Sequence, residues 1–160
     1  DYCEGVVLDS SFIYDINIDK NGDGLDISGS QIYVSGNLFR NFKDKGISVG
    51  EKSHIFITNN QFKQNNLGSA VKDLSSAYYW NNYYNQNFRD IQVYQKKKIY
   101  GGGRIYLKKE EVKNLITRLD KRSKILFFPK EIEKKVPWIL NPPKSITHFF
   151  TQLEGIEFNE

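Results

Sequence analysis

A short segment returns along this chain every 22 residues, and that return limits the fold more than any other feature. Gly24-Leu25-Asp26-Ile27-Ser28 is followed by Gly46-Ile47-Ser48-Val49-Gly50, then Gly68-Ser69-Ala70-Val71-Lys72, then Asp90-Ile91-Gln92-Val93-Tyr94. A second segment recurs inside each unit as Ile32-Tyr33-Val34, Ile55-Phe56-Ile57 and Ala77-Tyr78-Tyr79. Behind it stand an asparagine and an aromatic: Asn37 with Phe39, Asn60 with Phe62, Asn82 with Tyr84. Val6-Val7-Leu8 with Phe12 reads as the tail of an earlier, incomplete unit.

Each unit thus holds two or three short strands of alternating apolar residues, separated by Gly, Ser, Asn and Asp. Units this short cannot form independent cores. Stacking them buries a continuous interior and sets each strand about 4.8 Å from its counterpart in the next unit. In-register parallel pairing then predicts an aromatic ladder of Phe39, Phe62 and Tyr84 and an amide ladder of Asn37, Asn60 and Asn82. The fold expected is an all-β solenoid, a parallel β-helix with coils of about 22 residues. A leucine-rich repeat is excluded, because its leucine spacing and helical segment are missing.

The stretches Gly24-Leu25-Asp26-Ile27-Ser28-Gly29-Ser30 and Asp44-Lys45-Gly46-Ile47-Ser48-Val49-Gly50-Glu51-Lys52-Ser53 also carry a resemblance. They resemble the right-handed parallel β-helix proteins of the pectate-lyase-like superfamily. More narrowly, they resemble the β-helix repeat region attached to bacterial spore-coat-protein-H-like proteins. Ala70-Val71-Lys72-Asp73-Leu74-Ser75 and Val93-Tyr94-Gln95-Lys96-Lys97 fit the same pattern, so the likeness covers roughly residues 1–107. It implies a right-handed coil, carbohydrate recognition or processing, and an extracellular or cell-surface location. It supplies no catalytic residue. Since β-helices of this kind usually continue upstream and the chain opens at Asp1 without methionine or signal peptide, upstream coils are expected to be missing.

Charge and composition divide the chain. Residues 1–95 carry 8 Lys/Arg against 11 Asp/Glu, residues 96–135 carry 14 against 5, and the remainder carries 1 against 3. Twelve of the fifteen asparagines precede residue 95, so the boundary is placed at Gly101-Gly102-Gly103 and the strand after it. The expected division is β-helix coils over 1–107 and a basic helical or irregular C-terminal cap over 108–160. Within the cap, Val112, Leu115, Ile116 and Leu119 predict an amphipathic helix over 108–123. Ile125 to Phe128 suits a strand, Lys130 to Lys135 a second helix, and Asn141-Pro142-Pro143 a loop. That strand segment is also the longest strictly apolar run, far below the roughly 20 residues of a membrane span. Cys3 is the only cysteine, which excludes an internal disulfide framework.

With Leu25, Ile47 and Ile91 directed inward, Asp26, Ser48, Ala70 and Gln92 form one outward column. Asp23, Lys45, Leu67 and Arg89 recur near the strand starts. In the pectate-lyase-like family this face commonly holds saccharide. A polysaccharide lyase needs carboxylates to hold calcium and a strong base beside the uronate, and Asp23, Asp26, Lys45 and Arg89 come nearest to such a set. Asp26 has no acidic partner in later coils, so solvated turn residues are the preferred reading and the catalytic residues are unknown. Asp19, Asn21, Asp23 and Asp26 invite a calcium loop, but Ser30 holds the place of an EF-hand glutamate and a Gly/Asp turn is preferred. His54, His148 and Cys3 have no partner in a recognisable motif, and no Gly-x-Ser-x-Gly elbow is present.

Among the aromatics, Tyr79 and Tyr84 take core ladder positions, which leaves Tyr78, Trp80 and Tyr83 as exposed platforms for sugar rings. Lys96-Lys97-Lys98 could meet anionic glycan, phospholipid or nucleic acid, but a solvated cap surface is the preferred reading; no nucleic-acid fold accompanies the run and no nucleic-acid partner is expected. The sequence therefore reads as an extracellular or cell-surface β-helix that binds or presents polysaccharide or surface glycan. Substrate contacts are placed at Asp26, Ser48, Gln92, Lys45, Arg89, Tyr78, Trp80 and Tyr83. A polysaccharide lyase, hydrolase or epimerase whose active face lies partly upstream is the alternative, and a structural scaffold is a third.

Overall fold

The computed structural model describes residues 3–14, 22–133 and 141–160, without the side chains of Lys113, Asn114, Ile116, Thr117, Glu131 and Glu133. Sheet A stacks β1 (Glu4–Leu8), β4 (Gln31–Ser35), β7 (His54–Thr58), β10 (Ser76–Trp80), β13 (Arg104–Leu107) and β15 (Lys124–Phe127). Sheet B stacks β2 (Ser11–Ile13), β5 (Leu38–Arg40), β8 (Gln61–Lys63) and β11 (Tyr83–Asn85). Sheet C stacks β3 (Leu25–Ser28), β6 (Lys45–Gly50), β9 (Leu67–Lys72), β12 (Arg89–Tyr94) and β14 (Ile116–Leu119). All the strand pairs are parallel, and the chain visits A, B and C in turn through about four coils. The 22-residue return is the hydrogen-bonding register itself: Ile27 pairs with Val49, Val49 with Val71, and Val71 with Val93. Their side chains meet Ile55, Ile57 and Phe62 in one continuous core.

Both expected ladders are present. Phe12, Phe39, Phe62 and Tyr84 stack nearly parallel at 4.9, 5.2 and 4.9 Å. At the corner between sheets A and B, the backbone N–H of Ser10 donates to Asn37 Oδ1, that of Asn37 to Asn60 Oδ1, and that of Asn60 to Asn82 Oδ1, at 2.9–3.0 Å. The chain turns there through a single left-handed residue, Asp9, Gly36, Asn59 or Asn81. That turn breaks the sheet hydrogen bonds, and the next N–H must find a side chain instead. The other corners solve the same problem. Between B and C, the Phe42 N–H donates to Asn65 Oδ1 and the Asn65 N–H to Asn87 Oδ1. Between C and A, the Cys3, Ser30 and Ser53 N–H groups donate to Ser30, Ser53 and Ser75 Oγ in turn.

The amphipathic helix expected over 108–123 does not form. A 3-10 turn at Lys109–Glu111 and a single helical turn, α1 (Val112–Leu115), take the place of a sheet B strand in the last coil. Ile116–Leu119 is the strand β14, paired with β12. Val112 and Leu115 pack on the core, as an amphipathic reading requires, but Leu119 is exposed. An unsatisfied sheet edge on β12 offered backbone partners that outweighed helical spacing. The strand expected at Ile125–Phe128 forms as β15, and helix α2 (Lys130–Glu133) lies where the second helix was expected.

The C-terminal cap is laid along the flank of sheet A. Helix α3 (Ile146–Glu154) starts at Ser145, whose Oγ accepts the His148 N–H, and buries Ile146, Phe149, Phe150 and Leu153 on one face. That face lies on an outward aromatic row, Tyr33, Phe56, Tyr78 and Tyr106. Thr147 Oγ1 donates to Glu4 on β1, and Glu154 Oε1 lies 3.1 Å from His54 Nδ1 on β7. Beyond the helix, Phe158 packs on Tyr78, Tyr106 and Phe128, and Asn159 exchanges backbone hydrogen bonds with Phe127 of β15. One segment thus crosses the solenoid from its first sheet A strand to its last.

Two outcomes follow. Phe62→Ala, which cuts the ladder at a fully buried ring, should cost about 3–5 kcal/mol in chemical denaturation. Phe88→Ala, at an exposed ring, should stay within about 0.5 kcal/mol. The second outcome concerns His54, whose pKa burial lowers; Glu154 opposes that shift and Arg104 adds to it. The unfolded chain then takes up the proton first, so stability should fall as pH drops below the unfolded value of about 6.5 and level off below the folded one. His54→Gln should flatten that part of the urea-midpoint profile; an unchanged slope would assign the pH dependence to other groups.

Candidate functional site

The outward face of sheet C is where the sequence placed saccharide, and the structure closes most of it. Asp26 is exposed, but Ser48 and Ala70 are completely buried and Gln92 nearly so. Ser48 lies beneath Lys72, at whose place the two earlier coils carry Gly50 and Ser28. The lysine chain runs over Gly50, where an added Cβ would meet Lys72 Cε at 3.0 Å, and its Nζ donates to Ser48 Oγ at 2.6 Å. Burial lowers the Lys72 pKa, with Asp26 pulling the other way. Lys45 is likewise occupied, 3.2 Å from Asp23 Oδ1 and 2.5 Å from Asp44 Oδ2. Burial pulls its pKa down, but the hydrogen bond to Asp44 and the charges of Asp23 and Asp44 outweigh that and hold it above the ordinary lysine value.

The lyase-like set therefore does not converge. Asp23 and Lys45 neutralise each other, and Asp26 on β3 stands three strand spacings, about 14 Å, from its row partner Gln92 on β12, with Arg89 three residues further along that strand. Asp19 and Asn21 of the calcium-loop reading lie outside the described residues. Among the described residues, no three His, Cys, Asp or Glu side chains are grouped to hold a metal. His148 is exposed on α3, and Cys3 is exposed with its Sγ 3.3 Å from Ser30 Oγ.

The corner between sheets B and C holds what the sequence reading missed. An open groove of about 650 Å³ runs across three coils, lined by Asn41-Phe42-Lys43, Gln64-Asn65-Asn66 and Gln86-Asn87-Phe88. The first residue of each triplet has positive φ, so the chain bends there and directs its side chain away from the core. In the second and third triplets the middle residue builds the second amide ladder, Asn65 Nδ2 donating to Phe39 O and Asn87 Nδ2 to Phe62 O, while the first triplet's Phe42 gives its N–H to Asn65. Gln64, Asn66 and Gln86 stay exposed, and Arg40 Nε holds Gln64 Oε1 at 2.9 Å. Phe88 closes one end, 72% exposed, with the Arg89 guanidinium 4.6 Å above its ring. Exposed amides offer donors and acceptors together, and an uncovered ring offers a flat apolar face. Asn41, Gln64 and Gln86 recur 23 and 22 residues apart just behind the ladder aromatics, a signal legible in the sequence.

Comparison with known proteins agrees with this architecture. The family described as right handed beta helix region matches residues 3–112. The chain belongs to the right-handed β-helix family. No curated protein and no solved structure matches it significantly. A right-handed β-helix supports a carbohydrate-related or structural module. Among the described residues, no helix is long and apolar enough to cross a membrane.

Two of the aromatic platforms expected on this β-helix are not available. Tyr78 and Trp80 are each only 2% exposed. Phe150 and Phe158 cover Tyr78, while Trp80 lies edge-on to Phe128 beneath the Lys108 ammonium, 4.3 Å from its ring. Their outward phase was right, and the C-terminal tail then covered the face they point to. Tyr83 is open at 53%, with Lys63 Nζ 5.9 Å from its ring, and Arg89 is exposed beside the groove. In a Trp138→Phe chain, Trp80 should emit as a buried indole and resist acrylamide quenching. Efficient quenching would put Trp80 back on the surface.

Proposed function

We propose that this right-handed β-helix is an extracellular or cell-surface module that binds a polysaccharide strand along the groove between sheets B and C. The observation that carries the reading is the groove's repeated chemistry. Amide side chains return with each coil at Asn41, Gln64 and Gln86, about 4.8 Å apart, and Asn66 joins them in the middle coil. A polymer of hydroxyl-bearing rings repeats its own donors and acceptors along its length, so a repeating amide track suits it better than a small ligand. Phe88 gives one ring an apolar face to rest on. Lys43 and Arg89 at the same corner favour an acidic polysaccharide, because their cations meet carboxylates or sulfates. The sequence resemblance to spore-coat-protein-H-like and pectate-lyase-like β-helices supports the same reading.

Affinity electrophoresis tests this reading, with alginate as an acidic polymer and a β-glucan as a neutral one. The full chain should be retarded by alginate at low salt, and less so as salt screens the charges over about 8 Å. Phe88→Ala should weaken retardation about tenfold, the loss of one ring–sugar contact of roughly 1.4 kcal/mol. No retardation on either polymer at low salt would leave the module a purely structural one.

A further inference from the structure

We propose that the enlarged corner at residues 95–103, between sheets C and A, is an attachment site for the surface of an anionic lipid bilayer. The corner is an insertion. His54 pairs with Ser76, 22 residues on, whereas Ser76 pairs with Arg104, 28 residues on, so this one turn carries six more residues than the last. Those residues include Lys96-Lys97-Lys98-Ile99-Tyr100. Ile99 is 83% exposed, the most open of the large apolar side chains among the described residues, and the three lysines beside it are exposed too.

The insertion is held in one shape. Asp73, fully buried, accepts the N–H groups of Lys96 and Lys97 on one carboxylate oxygen at 2.8 and 2.7 Å. Gln95 Nε2 donates to the carbonyls of Lys97, Lys98 and Tyr100. Gly102 packs so closely on the Arg122 backbone that a Cβ would lie 2.3 Å from it. Ile99 is thereby presented from an ordered loop, and ordering completed before binding lowers the cost of meeting a partner.

Stacked corners add cations around it. Lys52 lies on one side, its Nζ 5.8 Å from the Tyr100 ring, and Lys121 and Arg122 lie on the other. Of the facing carboxylates, Asp73 and Asp120 are committed to backbone N–H groups and Glu51 pairs with Lys97. The result is an aliphatic side chain set among lysines and arginine. A bilayer interface rich in anionic headgroups supplies both complements, negative charge at the surface and an apolar phase just beneath it. An acidic polysaccharide supplies the charge and shallow C–H faces, but no apolar phase for Ile99 to enter. The site is at a different corner from the amide groove and stands independently of it.

Co-sedimentation of the full chain with vesicles tests the proposal. The chain should pellet with equimolar phosphatidylcholine and phosphatidylglycerol, and not with phosphatidylcholine alone. Ile99→Ser should weaken this at least about tenfold, the loss of one buried aliphatic side chain. Lys96→Gln with Lys98→Gln should weaken it further, and raised salt should do the same. All three side chains are exposed, so the variants should keep the parent's unfolding midpoint. A tryptophan placed by Ile99→Trp should shift to the blue on the mixed vesicles. Absence of pelleting with the anionic vesicles at low salt would overturn the proposal. So would binding that ignores Ile99→Ser, or retention on heparin without vesicle binding, since either outcome describes a surface that reads charge only.

Discussion

Everything in this molecule hangs on a side chain at each corner that reaches up to the backbone N–H of the neighbouring coil. Strands of three to six residues cannot hold a solenoid alone, because every coil must bend sharply three times and each bend interrupts the sheet. Asn37, Asn60 and Asn82 repair one corner, Asn65 and Asn87 the second, and Ser30, Ser53 and Ser75 the third. Each acceptor serves the coil before it, so the repair works only if the residue recurs at the coil period. The 22-residue spacing follows from that chemistry as much as from apolar packing.

A chain built this way gains its stability from nearest neighbours, and each coil is bound mainly to the next. The C-terminal tail changes that. By running from Glu4 past His54 to Phe127, it joins coils that share no hydrogen bonds of their own. It also decides which flank is surface. The aromatic row of sheet A becomes a second core under α3 and Phe158, and on sheet C Lys72 lies over Ser48. The corners are left open, and the two surfaces with distinctive chemistry, the amide groove and the basic loop, are both corners.

Solenoid corners tolerate such elaboration. A strand residue is fixed by the register of its neighbours on both sides, whereas a corner residue needs only the inward amide or hydroxyl to be kept. The residues beside it are free to become Gln64, Phe88 or a six-residue insertion without disturbing a strand. Exposed amides, rings and charges collect at these positions because the scaffold holds them rigidly and constrains their identity little.

The sequence by itself determined the coil period, the register of sheets A, B and C, the inward phase of Ile47, Phe62 and Val93, and the aromatic and asparagine ladders. All of these are local periodicities, and parallel stacking turns a period directly into a contact. It also held the amide track of Asn41, Gln64 and Gln86, in a signal no stronger than the other asparagines of a chain rich in them. Only the tertiary structure decided that Tyr78 and Trp80 are covered, that Ser48 lies beneath Lys72, that Lys45 is spent on Asp23 and Asp44, and that Ile116–Leu119 is a strand. Periodicity states which way a side chain points, but what arrives to meet it comes from residues far along the chain, and their arrival is set by buried area and open sheet edges that no local window contains.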